Sequence, residues 1–180
     1  MVRTPQDNIG LEWDTWSRRV EKYGKILDKS SMRQTLKLLQ TEVSGENKFP
    51  LLLQLLCKIM DKSSKDACNH VINYLKSDKQ PRAAIADIGI SSPYILYTGV
   101  DELHPDQFLV ISESEELFDT TSFVKAAVGL IAWFYVMDMA YPVKARNTYA
   151  FIETILFKLP TTSFTGSALQ AISAMEQLEL

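Results

Sequence analysis

From Trp13 onward the large apolar residues fall at Trp13, Trp16, Val20, Tyr23 and Leu27, at intervals of 3, 4, 3 and 4. That spacing draws one apolar stripe along a helix, with Arg18, Arg19, Glu21, Lys22 and Lys25 on its other faces. The polar stretch DKSS at 28–31 offers a break and a cap, after which Met32, Leu36, Leu39 and Val43 mark a second helix. A loop, SGENKFP, leads into PLLLQLLCKIMDK at 50–62, a third helix apolar on more than one side. The segment 63–81 predicts a fourth, with Ser64 as its cap, Ala67, Val71 and Tyr74 turned inward, and Pro81 past its end.

The texture then changes. SPYILYTG and DQFLVISES are short β-branched and aromatic runs bounded by proline, glycine and aspartate, the pattern of a hairpin or of extended chain pinned against helices. Two strands alone are marginal unless helices cover them. The acidic patch SESEELFD follows, and DTTSF supplies caps for the next helix. That helix, Phe123 to about Ala140, is apolar almost all round, which predicts a central position with Trp133 in the core. Tyr141–Pro142 ends or kinks it, since the residue before proline is pushed out of the helical region. Lys144 to Leu159 predicts one further helix with Tyr149, Ile152, Leu156 and Leu159 inside, and the tail ALQAISAMEQLEL a short amphipathic one.

The expected fold is therefore mostly α: a single compact multi-helix domain with a small extended or hairpin element near 93–111. Residues 1–11 read as a flexible N-terminus, 12–160 as the helical domain, and 161–180 as a linker with the short C-terminal helix.

The densest apolar run, Ala126 to Met137, is too short to cross a bilayer, which needs roughly 20 residues. Lys125 and Asp138 close its two ends. No apolar leader opens the chain, so the expectation is an intracellular protein, cytoplasmic or nuclear, with no membrane partner. Charge is uneven: residues 1–90 hold 15 Lys or Arg against 11 Asp or Glu, and residues 91–180 hold 4 against 11. Opposite halves of this kind can attract within one chain or head to tail between two.

Candidate chemistry is sparse. Cys57 and Cys68 lack zinc-ribbon or CxxC spacing and read as buried free thiols of a reducing compartment. His70 has Asp66 one turn upstream, and His104 stands among Asp101, Glu102 and Asp106, but neither set matches a metal-binding spacing. There is no nucleophile elbow and no glycine-rich phosphate loop. No residue is assigned a catalytic, metal or cofactor role, and no cofactor is expected. Asp138, flanked by WFYVM and MAYP, is the one carboxylate placed for partial shielding. It could serve a polar cleft in an enzyme, cap a neighbouring helix, or pair with Lys144 or Arg146; Glu153 lies one helix on.

The first helix also interleaves basic and aromatic groups, the arrangement that contacts phosphates and stacks on bases. Trp13, Trp16, Arg18, Arg19, Lys22 and Tyr23 are accordingly the candidate interaction residues, for a protein or, less directly, a nucleic acid. Three Trp, seven Tyr and eight Phe in 180 residues add material for protein contacts.

Four segments, Pro93–Leu96, Phe108–Ile111, Tyr135–Pro142 and Phe151–Lys158, carry a resemblance. Over residues 90–160 the chain resembles the helical C-terminal region of vertebrate, mainly fish, proteins related to mobile elements or containing sterile alpha motifs. The resemblance implies a domain attached to recognition modules and no catalytic residues. The expected function is protein–protein interaction or self-association without catalysis, the partner being a second copy or a heterologous protein.

Overall fold

A computed structural model describes residues 5–41, 45–159 and 164–179. Their elements run α1 (Pro5–Leu27), α2 (Ser30–Leu39), α3 (Phe49–Met60), β1 (Ile72–Lys76), α4 (Pro81–Ile88), β2 (Tyr94–Gly99), β3 (Pro105–Ser112), β4 (Glu115–Thr120), α5 (Phe123–Val136), α6 (Arg146–Phe151) and α7 (Gly166–Glu176). The domain is mostly helical with one four-stranded sheet, ordered β1-β2-β3-β4.

The helical layer follows the apolar stripes. Trp13, Trp16 and Val20 of α1 are buried, as are Met32, Leu36 and Leu39 of α2. α1 lies so close to its neighbours that a Cβ on Gly24 would stand 3.0 Å from Leu55 Cδ2. Helix α3 is the centre of the fold, with ten of its twelve residues buried. A helix apolar on every side is stable only when surrounded. Helix α7 buries Ala168, Ala171, Ile172 and Met175 against α1 and α3 and starts at the Thr165 cap. Residues 5–11, read from the sequence as part of a flexible terminus, lie within α1, whereas residues 1–4 are outside the described residues.

The expected fourth helix is absent. Residues 67–70 form a single 3-10 turn, and Ile72–Lys76 is a strand paired in parallel with β2, from Ile72↔Ile95 to Lys76↔Gly99. Ala67, Val71 and Tyr74 do fit helical spacing, but VINYL is also rich in β-branched and aromatic residues, and pairing with β2 decides the matter. Helix α4 is the crossover between the parallel strands; Pro81 starts it and Gly89, at φ +63°, caps it.

The expected hairpin is β2–β3, antiparallel from Tyr94↔Ile111 to Gly99↔Pro105. The acidic patch supplies a further strand, β4, along the far margin of the sheet, with Glu115, Glu116 and Asp119 exposed. Strand alternation gives each face its own core. Ile72, Ile95, Tyr97, Phe108 and Val110 join the main core beneath the helical layer. Leu75, Tyr94, Leu96, Leu109 and Ile111 meet Ile85 of α4 on the other face.

Helix α5 is not the central helix. It lies on the sheet, burying Phe123, Val124, Ala126, Leu130, Ile131 and Phe134, and Trp133 is only half-buried. The helix sits low enough that the Phe118 ring of β4 fills the space a Cβ on Gly129 would need. Its last turn projects beyond the core, which is why an all-round apolar sequence leaves Tyr135 and Val136 exposed.

The predicted helix over 144–159 is a composite: a 3-10 turn at Val143–Ala145, α6, and a π-helical turn at Ile152–Leu156. Its entry is fixed by Asp61, a buried carboxylate just past α3. Asp61 accepts bonds from Asn147 N (3.1 Å), Asn147 Nδ2 (2.9 Å), Thr148 N (2.9 Å) and Thr148 Oγ1 (2.6 Å). It thereby serves the otherwise unbonded amides at the start of α6.

Candidate functional site

A surface cleft lies where α5 stops. Asp138 adopts φ +50°, the left-handed conformation that ends helices and that glycine takes most readily. The cap is completed by Asp138 N bonding Tyr135 O (3.3 Å) and Met139 N bonding Phe134 O (2.9 Å). The chain then turns back through Tyr141–Pro142, which brings the π-helical turn and Glu153 beside the helix end. π-helical turns insert one residue into a helix and recur at functional sites.

These elements enclose a cleft of about 200 Å³ lined by Phe134, Tyr135, Asp138, Met139, Tyr141 and Glu153. The aromatic walls are well defined. Tyr141 stacks on Tyr149 with planes 5° apart, and Phe134 meets both edge-on at 4.8 and 4.9 Å between centroids. Tyr149 is held in turn by a hydroxyl within hydrogen-bonding distance of the carbonyls of His70 (2.8 Å) and Pro93 (2.9 Å). Glu153 is 2% exposed and accepts a hydrogen bond from the Tyr135 hydroxyl. That bond, followed by desolvation, raises the Tyr135 pKa; burial, then the Glu153 charge, raises that of Tyr141.

Asp138, the carboxylate singled out from the sequence, is thus at the cleft but exposed. It neither caps a neighbouring helix nor pairs with Lys144, which binds Asp66 at 3.3 Å. Among the described residues its side chain has no hydrogen bond and no ion pair. Among the described residues the cleft gathers two carboxylates and three aromatic rings, and no basic residue lines it. It offers a concave surface lined by carboxyl, phenol and apolar groups.

At the end of α5 and in the 3-10 turn that follows stands an apolar crest. Tyr135 is 54% exposed, Val136 75%, Met137 52% and Val143 90%. Four of the eight large apolar residues most exposed among those described therefore fall within nine positions of one another.

The residues proposed from the first helix are placed differently. Trp13 is buried against the rings of Phe49 and Phe123, and Trp16 meets Phe151 edge-on at 5.0 Å. Tyr23 is half-buried on the same core. Arg19 lies over the Trp16 ring at 5.1 Å, Arg18 pairs with Asp14 at 3.3 Å, and Lys22 donates to the Glu179 carbonyl. The aromatic groups are core and the basic ones line the outer face, so bases could not stack on Trp13 or Trp16 without unpacking the domain.

Neither histidine sits in a ligand set. His104 Nδ1 bonds Asp101 at 2.8 Å in an exposed turn, and this hydrogen bond is the main cause of the lowered Asp101 pKa. His70 ends the 3-10 turn, its pKa lowered chiefly by burial. Cys57 and Cys68 are free; burial pushes the Cys57 thiol well up, away from a reactive thiolate. Among the described residues no cluster of three or more His, Cys, Asp or Glu could hold a metal ion, and no helix is long and apolar enough to cross a membrane.

No family model matches the chain, and neither a curated protein nor a solved structure matches it.

Proposed function

We propose that this chain is a protein–protein interaction domain without catalytic activity, and that it self-associates through the crest at the end of α5. The exposure of Tyr135, Val136, Met137 and Val143 carries the reading. Clustered apolar side chains on a rigid helix end are the material of interface hot spots. Burying one aliphatic side chain fully is worth roughly 1.5–3 kcal/mol, so a handful can sustain a dimer when the surrounding surfaces fit. The opposite charge of the two halves of the chain favours a partner copy in a head-to-tail arrangement. The resemblance of residues 90–160 to regions attached to recognition modules points the same way. Polyanion binding by α1 is less well supported, because Arg18, Lys22 and Lys25 are engaged within the chain.

The test is absolute mass by light scattering behind a sizing column, for the natural chain and for the double variant Val136→Asp/Val143→Asp. Both positions are exposed, so the variant should keep its fold. A discrete oligomer at micromolar concentration that the variant dissolves supports the reading. A monomer near 20 kDa at tens of micromolar, or an oligomer indifferent to both changes, overturns it.

A further inference from the structure

The sheet ends on one side at β1, and that margin is open. Ile95 N donates to Val71 O and Ser77 N to Gly99 O, both at 2.9 Å, which pins the parallel ladder at its two ends. Alternate residues of a parallel strand bond the neighbour, so Val71, Asn73, Leu75 and Ser77 direct their backbone groups to β2. Ile72, Tyr74 and Lys76 turn theirs away. Lys76 O accepts from Lys79 N at 2.9 Å, and the other five outward groups have no partner among the described residues. We propose that this margin takes up an extended segment of a partner protein, added antiparallel to β1 as a fifth strand, with acidic residues at its N-terminal end and apolar ones after them.

A groove of about 570 Å³ lies beside the strand, within the range of ligand pockets. It is bounded by Asn73, Tyr74 and Leu75 on one side and by Ala83, Asp87 and Ile88 of α4 on the other, with Lys79 in the turn between them. Successive side chains of a strand point to opposite faces, so a groove that touches three residues in a row runs along the backbone margin itself. The strand is held from the far side: the Tyr74 ring lies 5.3 Å from that of Tyr97, and its hydroxyl donates to Gly99 O at 3.0 Å. The template is therefore rigid before anything binds, which lowers the entropic cost of pairing. Ala83 leaves room for incoming side chains, and Leu75 and Ile88 offer them apolar contact.

Charge selects the occupant. Lys76 pairs with Asp78 at 3.5 Å, whereas Lys79 and Arg82 are exposed and have no ion pair among the described residues. Antiparallel pairing is the more stable kind, and in that direction the first residues of the added strand fall beside Lys79 and Arg82. Carboxylates there complement the two cations. A second copy of β1 would not, because residues 67–76, ACNHVINYLK, contain no acid. This surface shares no residue with the crest at the end of α5.

Amide NMR titration of the full chain at constant ionic strength tests the proposal. The probes are acetyl-EETVTVTG-amide, its charge-reversed form acetyl-KKTVTVTG-amide, and the acidic peptide N-methylated on its five central amides. The acidic peptide should give saturable shifts at residues 72–76 and 83–88 in the millimolar range, with slowed hydrogen exchange at the Tyr74 amide. The N-methylated peptide should give none, and the basic one should bind more weakly. Lys79→Glu, at an exposed position, should weaken the acidic peptide about three- to tenfold and strengthen the basic one. Absence of shifts with the acidic peptide, equal binding of its N-methylated form, or affinities unchanged in Lys79→Glu would overturn the proposal. Protection of the Tyr74 amide that grows with chain concentration alone would also overturn it, by assigning the margin to a second copy. The readout lies at residues 72–88, so its outcome and that of the light-scattering test on Val136 and Val143 are separable.

Discussion

Replacing Asp61 by alanine tests whether one buried carboxylate joins the third and sixth helices. Asp61 is 5% exposed and takes four hydrogen bonds from Asn147 and Thr148, two of them from backbone amides. Loss of a helix N-terminal acceptor costs about 0.5–2 kcal/mol. Each buried donor left without a partner adds roughly 1–3 kcal/mol, and Thr148 is fully buried whereas Asn147 is half-buried and can recover water. Taking the Thr148 amide and hydroxyl as orphaned and the Asn147 groups as rehydrated gives about 3–5 kcal/mol for Asp61→Ala. Urea unfolding followed by circular dichroism would measure it, with a shifted midpoint at constant slope as the sign of a stability change alone. In a Thr148→Val background, where one donor is already gone, Asp61→Ala should cost about 1–2 kcal/mol less. A loss below 1 kcal/mol in the natural background would refute the clamp.

Two further outcomes follow from burial. Trp133→Ala should cost only about 1–2 kcal/mol, below the 3–5 typical of a buried tryptophan, because the ring is only partly buried on α5; a loss above 3 kcal/mol by urea unfolding would return it to the core. Burial raises the hydroxyl pKa of Tyr94 to about 12 and those of Tyr97 and Tyr149 higher still. The folded state thus retains protons that the unfolded chain releases near pH 10, and this contribution to stability, whole below pH 10, is lost as pH rises toward 12. Absorbance at 295 nm should show the buried phenols ionising only together with unfolding. Independent titration of all seven tyrosines near pH 10 in the folded protein would contradict it.

Most helices were legible because each buries one stripe: α1, α2 and α3 follow directly from their apolar spacing. The β2–β3 hairpin was legible too, from its β-branched runs and the turn between them. β1 was not, because Ala67, Val71 and Tyr74 satisfy a helical period and the strand exists only through its pairing with β2, some 23 residues later. β4 was hidden by its charge, since one margin of a sheet can be acidic without loss of pairing. Centrality also misled: α3 and α5 are both rich in apolar residues, but only the packing of the whole chain decides which is enclosed. Of the candidate site, Asp138 and Glu153 could be noticed singly. Their meeting depends on the left-handed cap, the return at Pro142 and the π-helical turn, none of which has a spacing to read.

The acidic strand β4 has a consequence for the chain's behaviour at high concentration. The outer side of an end strand offers free amides and carbonyls to any extended polypeptide and can seed the growth of fibrils. Here Glu115, Glu116 and Asp119 stand along that margin and Glu113 in the turn before it, exposed and without an ion pair among the described residues. A second β4 approaching in register would bring like charges together, and the docking strand would be repelled before its hydrogen bonds could form. Part of the acidity of this half of the chain thus acts as a guard against uncontrolled sheet growth, which confines self-assembly to other surfaces.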